Sequence, residues 1–77
     1  MVLNKGTIVK VFLKGESPWA YVLDIVNGNV IGRIDNDLIF TDIHGYKRGD
    51  VLEFYQKDYG KFKSLEPIGH YQYIRIV

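Results

Sequence analysis

The residues of this chain with the clearest chemistry are aromatic and basic side chains that alternate in its second half. They are densest from Tyr55 to Lys63, and a shorter run of the same types begins at Tyr46. Exposed rings stack on nucleic-acid bases while lysine and arginine meet phosphates, and tyrosine and arginine also anchor protein interfaces. The candidate binding residues are therefore Tyr46, Lys47, Arg48, Tyr55, Lys57, Tyr59, Lys61, Phe62 and Lys63.

The charge balance favours a protein partner for these residues. Ten basic and nine acidic side chains give a formal net charge of +1, and the six basic and four acidic residues of 46–77 leave only +2 there. A binder of single-stranded nucleic acid usually carries a larger basic excess. We expect Tyr59 and Phe62 to anchor a protein partner, with Arg48 and the lysines setting its orientation. Nucleic-acid binding by the same residues is the alternative, and burial of Tyr55, Phe62 and Tyr73 in the core is the interpretation without a site.

Catalytic chemistry has less support in the sequence. His44 and His70 each lie beside a glycine, the spacing of Ser17 and Ser64 does not indicate a catalytic triad, and we expect both histidines to be solvated loop residues. Asp24 interrupts an apolar strand and would have a raised pKa if it were buried. The large alternating residues of that strand lie on the opposite face, which we expect to be the core: Trp19, Tyr21, Leu23 and Ile25. Asp24 should then be solvated, and no enzyme activity is predicted.

Metal, phosphate and membrane sites are not indicated either. Asp35, Asp37 and Asp42 begin like a calcium loop, but Phe40 and Tyr46 occupy the positions that need glycine and glutamate. The chain has no cysteine and no phosphate-binding Gly-Lys-Ser/Thr motif, so we expect no metal and no cofactor. No segment approaches about 18 uninterrupted apolar residues and the N-terminus lacks a signal-peptide pattern, so a cytoplasmic location without membrane contact is expected.

Short β-strands must position the candidate residues. Segments rich in β-branched and aromatic residues, bounded by Gly, Pro, Asn and Asp, predict strands at 7–14, 19–26, 30–34, 38–40, 51–56 and 71–77. Asn27-Gly28 predicts a tight hairpin, Gly32 predicts a bulge or bend that curls the sheet, and 57–69 is predicted to be loop with at most one helical turn. The apolar segment 74–77 could pair with a second copy of the chain and form a homodimer through a strand edge.

The spacing of these turns indicates one small domain over residues 1–77. With 77 residues and turn signals about every ten residues, the chain is too short for an immunoglobulin-type sandwich. The predicted fold class is all-β, a five- to six-stranded antiparallel SH3-like barrel.

Several of these residues also carry a family resemblance. Trp19-x-x-Val22 before Ile25, Asn27-Gly28 with Gly32 after it, Asn36-Asp37 and the run from Tyr46 to Phe54 resemble the YegJ-like bacterial domain of unknown function. The resemblance covers about residues 19 to 56, and Leu38 stands where that family often has proline. It implies a small barrel of bacterial or phage origin and transfers no functional residues. From the aromatic and basic residues we expect a non-enzymatic module that binds a protein, and the resemblance fits an inhibitor, immunity or other accessory factor.

Overall fold

The computed structural model describes residues 4–72, which form a five-stranded antiparallel sheet and one helical turn. The strands are β1 (Ile8–Lys10), β2 (Trp19–Val26), β3 (Asn29–Ile34), β4 (Val51–Asp58) and β5 (Lys63–His70), and the helical turn α1 (Thr41–His44) lies between β3 and β4. Each strand pairs with the next along the chain, in the order β1-β2-β3-β4-β5. The predicted all-β antiparallel architecture is confirmed.

The β2–β3 hairpin follows directly from local turn chemistry. Asn27 and Gly28 both have positive φ, at 50° and 81°, and they form the two-residue turn between the paired residues Val26 and Asn29. Two consecutive residues with positive φ give a turn whose twist matches that of the flanking strands, and Asn-Gly is the residue pair that adopts it most readily. The predicted hairpin is therefore confirmed.

The sheet curls until the chain beyond β1 meets β5. The Phe12 backbone N–H donates to the Leu65 carbonyl oxygen at 2.8 Å, which brings the two ends of the sheet together along a seam. A bulge interrupts β2, where Val22 pairs with Gly32 but Asp24 pairs with Ile31. Bulges bend a strand and increase its twist, so this one contributes to a curled half-barrel. The bulge lies opposite Gly32, as the glycine suggested, but the extra residue belongs to β2.

The core lies on the face of β2 that the sequence assigned to solvent. Ala20 and Val22 are fully buried, whereas Trp19 remains 46% exposed. Gly32 explains the choice, because a Cβ atom there would lie 3.3 Å from the Phe54 ring and 3.4 Å from the Ala20 Cβ. The small residues of β2 and β3 make room for this ring from β4. The core cluster comprises Val11, Leu13, Ala20, Val22, Val30, Ile34, Leu52, Phe54 and Leu65. The predicted core face of Trp19, Tyr21, Leu23 and Ile25 is wrong.

Asp24 lies outside the core, as predicted, because the bulge turns it away. Its carboxylate accepts a hydrogen bond from the Ile25 N–H at 2.8 Å and lies 3.3 Å from the Lys5 ammonium. The Ile25 hydrogen bond first, and then Lys5, lower the pKa of Asp24. The raised pKa that would mark a buried catalytic acid is therefore not found.

Two predicted elements are wrong. Residues 38–40 do not form a strand, because the Ile39 and Phe40 N–H groups donate to the Glu16 carboxylate and the chain then enters α1. The predicted loop 57–69 contains most of β5. Pro67 is accommodated there because β5 is the last strand of the sheet. On the side of β5 that faces away from β4, a residue without an N–H group removes no hydrogen bond between strands.

The predicted first strand is only partly formed, and of the predicted last strand only residues 71 and 72 are described, neither of them in a strand. The first strand is shorter than 7–14, with β1 covering only Ile8–Lys10 and an isolated bridge joining Leu13 to Glu16. Of the predicted last strand, Tyr71 donates its N–H to the Val51 carbonyl at 2.8 Å. Residues 73–77 lie outside the described residues, and with them the segment 74–77 predicted to pair with a second copy.

Candidate functional site

The β4–β5 hairpin extends past the core and carries the predicted aromatic and basic residues. Phe54 on β4 and Leu65 on β5 are the buried residues nearest the turn of this hairpin. Every residue from Tyr55 to Lys63 is exposed. Beyond the core the strands stay paired through Tyr55↔Glu66, Lys57↔Ser64 and Asp58↔Lys63. We call residues 55–63 the hairpin tip. Its rings lie at the surface, so the interpretation that Tyr55 and Phe62 fill the core is wrong.

Backbone hydrogen bonds define the turn at the end of the hairpin tip. The Tyr59 N–H donates to the Phe62 carbonyl at 2.9 Å, and the Gly60 N–H donates to the Asp58 carboxylate at 2.8 Å. Gly60 has a φ of 83°, a conformation that glycine adopts without a steric penalty. The turn therefore brings the side chains of Tyr59 and Phe62 to the same place.

Tyr59 and Phe62 form a stacked pair at this turn. Their ring centroids are 5.1 Å apart with an interplanar angle of 17°, and the residues remain 46% and 63% exposed. The Lys57 ammonium lies over the Tyr59 ring, 5.3 Å from its centroid. A stacked pair loses less side-chain entropy on binding than two independent rings, because each already restricts the other. The arrangement suits an interface anchor.

Glu66 links the aromatic pair to the strand. The Tyr59 hydroxyl donates to the Glu66 carboxylate, and this hydrogen bond raises the pKa of Tyr59. The pKa of Lys57 is also raised, first by Tyr59 and then by Glu66 and Tyr55. Three lysines and two carboxylates share this surface, so it is only weakly basic: Lys57, Lys61, Lys63, Asp58 and Glu66.

Tyr46, Lys47 and Arg48 do not join the hairpin tip. They precede β4, whereas the tip follows it, and at about 3.3 Å per residue the two ends of this eight-residue strand are about 23 Å apart. Tyr46 is half-buried, packs against the core and stacks on His44 at a centroid distance of 5.6 Å. Lys47 and Arg48 are exposed, and the Arg48 guanidinium lies 3.4 Å from the Asp37 carboxylate.

The two histidines differ sharply in their surroundings. The His70 side chain is exposed, as predicted, and lies 3.0 Å from the Asp50 carboxylate, but His70 is the last residue of β5 and not part of a loop. The prediction is wrong for His44, whose side chain is only 4% exposed and whose Nε2 lies 2.6 Å from the Glu16 carboxylate. The Tyr46 N–H donates to His44 Nδ1 at 3.0 Å, which leaves Nε2 as the ring nitrogen that faces Glu16.

The Glu16–His44 pair holds loops together and leaves no ring nitrogen for catalysis. Glu16 also accepts the backbone N–H groups of Ile39 and Phe40, at 3.1 and 2.9 Å. The pKa of Glu16 is lowered, chiefly by its hydrogen bond to His44. A general base needs a nitrogen within reach of substrate or nucleophile, and both nitrogens here have partners in the protein.

Within residues 4–72, no group of three or more His, Cys, Asp or Glu side chains is placed to hold a metal ion. The same part of the chain contains no helix that is long and apolar enough to span a membrane.

Sequence reasoning missed a second surface on the outer face of the sheet, opposite the core. Lys10 pairs with Trp19 across β1 and β2, and its ammonium lies 5.2 Å from the indole centroid. Arg33 pairs with Tyr21 across β2 and β3, and its guanidinium also lies 5.2 Å from the ring centroid. The alternation of large residues along 19–25 is the signal for this surface in the sequence, but alternation alone does not say which face is buried.

Comparison of the chain with protein-family models, curated proteins and solved structures finds no match. The resemblance to the YegJ-like domain stays a prediction. The function is therefore inferred from the geometry of the chain itself.

Proposed function

We propose that this protein is a non-enzymatic binding module with an SH3-like barrel, which captures a protein partner through its hairpin tip. The stacked, exposed pair of Tyr59 and Phe62 carries this proposal. Aromatic residues that are solvent-exposed in the free protein and buried in a complex supply much of the affinity of protein interfaces. The proposed biological role is that of an inhibitor, immunity or other accessory factor of bacterial or phage origin, consistent with the YegJ-like resemblance.

The electrostatics of the hairpin tip support a protein partner over nucleic acid. Glu66 accepts a hydrogen bond from the Tyr59 hydroxyl, which places a carboxylate against the ring that a base would stack on. Asp58 lies in the same turn and opposes Lys63 across the strands. Phosphate backbones are bound by surfaces with a clear excess of Lys and Arg, and each carboxylate near such a surface weakens it.

The proposal is tested by capture from a bacterial lysate with the double variant Tyr59→Ala/Phe62→Ala. Wild-type protein should retain a discrete protein that survives nuclease treatment, and the double variant should lose it. Ile39→Ala is the matched control, because Ile39 is an exposed apolar residue outside the tip. Circular dichroism should show an unchanged fold for both variants, since neither removes a core side chain.

Two results would overturn this reading. Equal retention by wild type and the double variant would remove the hairpin tip as the interface. Retention that disappears with nuclease and falls steeply as salt rises would assign the same residues to nucleic-acid binding instead.

A further inference from the structure

An open cleft of about 420 Å³ lies on the outer face of the sheet, at the end of β2 that is remote from the hairpin tip. Its walls are Ile8, Trp19, Asp35 and Asn36. The volume falls within the range of about 300–1,000 Å³ that is usual for small-molecule sites. None of these residues belongs to the proposed partner-binding surface.

The cleft is built around Trp19 by the strand register. Lys10 lies beside Trp19 on β1, and Asp35 lies on its other side, where the Asp35 N–H donates to the Trp19 carbonyl at 3.0 Å. The Trp19 N–H in turn donates to the Asn36 side-chain oxygen at 2.5 Å. These two hydrogen bonds attach residues 35 and 36 to the start of β2, which fixes the backbone on this side of the cleft and the Asn36 side chain.

The lining residues have the chemistry of a cation site. The face of an indole ring attracts cations, and the Lys10 ammonium over the Trp19 ring shows that this ring already does so. Asp35 adds a negative charge, and within residues 4–72 its carboxylate has no ion-pair or hydrogen-bond partner. Ile8 is exposed and apolar, which suits an aliphatic chain attached to the charge.

We propose that this cleft binds a positively charged alkyl group, an ammonium or guanidinium at the end of an aliphatic chain. The charge lies between the Trp19 ring and the Asp35 carboxylate, and the aliphatic chain packs on Ile8. Lys10 provides an internal like charge that opposes the incoming cation. A lysine or arginine side chain of a peptide and a free alkylamine present the same chemistry to this site.

Trp19 is the only tryptophan of the chain, so its fluorescence reports directly on the cleft. The wild-type protein is titrated with n-butylammonium chloride, with sodium chloride as the ionic-strength control, and separately with n-butanol and sodium butyrate. A saturable change with n-butylammonium alone is expected. An equal response to n-butanol would show simple apolar contact and would overturn the proposal without any variant being needed.

Two variants of opposite sign sharpen the test. Asp35→Asn should weaken n-butylammonium binding by about fivefold, because it removes one charge a few ångströms from the cation. Lys10→Met should strengthen binding by about two- to fivefold, the size of a surface cation–aromatic interaction. Asp37→Asn, which removes a neighbouring exposed carboxylate outside the cleft, should change nothing. An unchanged affinity in both Asp35→Asn and Lys10→Met would refute the assignment.

The source of the cation is distinguished by two further ligands. Tighter binding of 1,5-diaminopentane than of N-acetyl-lysine amide would identify a free amine, and the reverse order would identify a peptide side chain. Failure of both ligands to bind, with n-butylammonium also silent, would refute the site while leaving the hairpin-tip proposal intact.

Discussion

Gly32→Ala tests how the core of this small sheet is filled. The added Cβ would lie 3.3 Å from the Phe54 ring, 3.4 Å from the Ala20 Cβ and 3.5 Å from the Tyr21 carbonyl oxygen. Phe54 and Ala20 are both fully buried, so neither can move away into solvent. Overpacking of a dense core costs about 1–3 kcal/mol, and the reduced freedom of the unfolded chain returns about 0.4–1 kcal/mol.

The expected net effect is a loss of about 1 kcal/mol in the free energy of unfolding, which lowers the Tm by about 4–8 °C in a domain of this size. Urea denaturation followed by circular dichroism measures it. Gly69→Ala is the matched control, since Gly69 is also in a strand and has no atom within 4 Å of the position of an added Cβ. This control should be neutral or stabilised by about 0.4–1 kcal/mol.

Phe54→Leu, made in both backgrounds, shows whether the ring is the cause. Its cost should be smaller by at least about 0.5 kcal/mol in Gly32→Ala than in wild type, because the shorter side chain relieves the crowding. If Gly32→Ala were as stable as Gly69→Ala, the space above Gly32 would be free. The packing of Phe54 over Gly32 would then not be what selects the buried face of β2.

Two further predictions concern carboxylates. Because the folded-state pKa of Glu16 lies below its ordinary value of 4.5, its contribution to stability is present above that pH and is lost as the pH falls through the depressed pKa. Urea denaturation across this pH range should show wild type more stable than Glu16→Gln near neutral pH and converging with it in acid. A stability difference that does not change with pH would contradict this prediction. Glu66→Gln should lower the pKa of Tyr59, because the hydrogen bond to Glu66 raises this pKa. Lys57→Met should raise the pKa of Tyr59 further, because the Lys57 charge lowers it. The ring signals of Tyr59 in an alkaline NMR titration measure both changes, and a shift of the same sign in the two variants would contradict the geometry of the hairpin tip.

Features set by neighbouring residues were predictable from the sequence. The β2–β3 hairpin follows from Asn27-Gly28 alone, and the bounds of β2 were predicted correctly. Features set by distant residues were not. Residues 39 and 40 donate their N–H groups to the Glu16 carboxylate, which lies more than 20 residues away in sequence. Pro67 indicates the end of a strand unless β5 is known to be an edge strand.

The candidate site shows the same division. The aromatic and basic run was visible in the sequence, but alternation along β2 defines two faces without saying which is buried. That choice depends on Phe54, a residue of β4 that packs over Gly32 and Ala20. Only the strand register then reveals that Lys10 and Asp35 flank Trp19, and only the length of β4 separates Arg48 from Phe62.

We propose that binding accounts for the exposed aromatic residues of this chain. Aromatic side chains make up 14% of the chain, yet Phe54 is the one aromatic residue in the buried core of residues 4–72. The interior of the half-barrel is filled by aliphatic side chains and the one ring of Phe54, so the exposed rings are not needed to fill it. Large exposed apolar groups promote aggregation unless they have a use. Trp19 at one end of the sheet and the Tyr59–Phe62 pair at the other lie far enough apart to act independently. Tyr59→Ala/Phe62→Ala should therefore leave the n-butylammonium affinity of the cleft unchanged, and Asp35→Asn should leave partner retention by the tip unchanged.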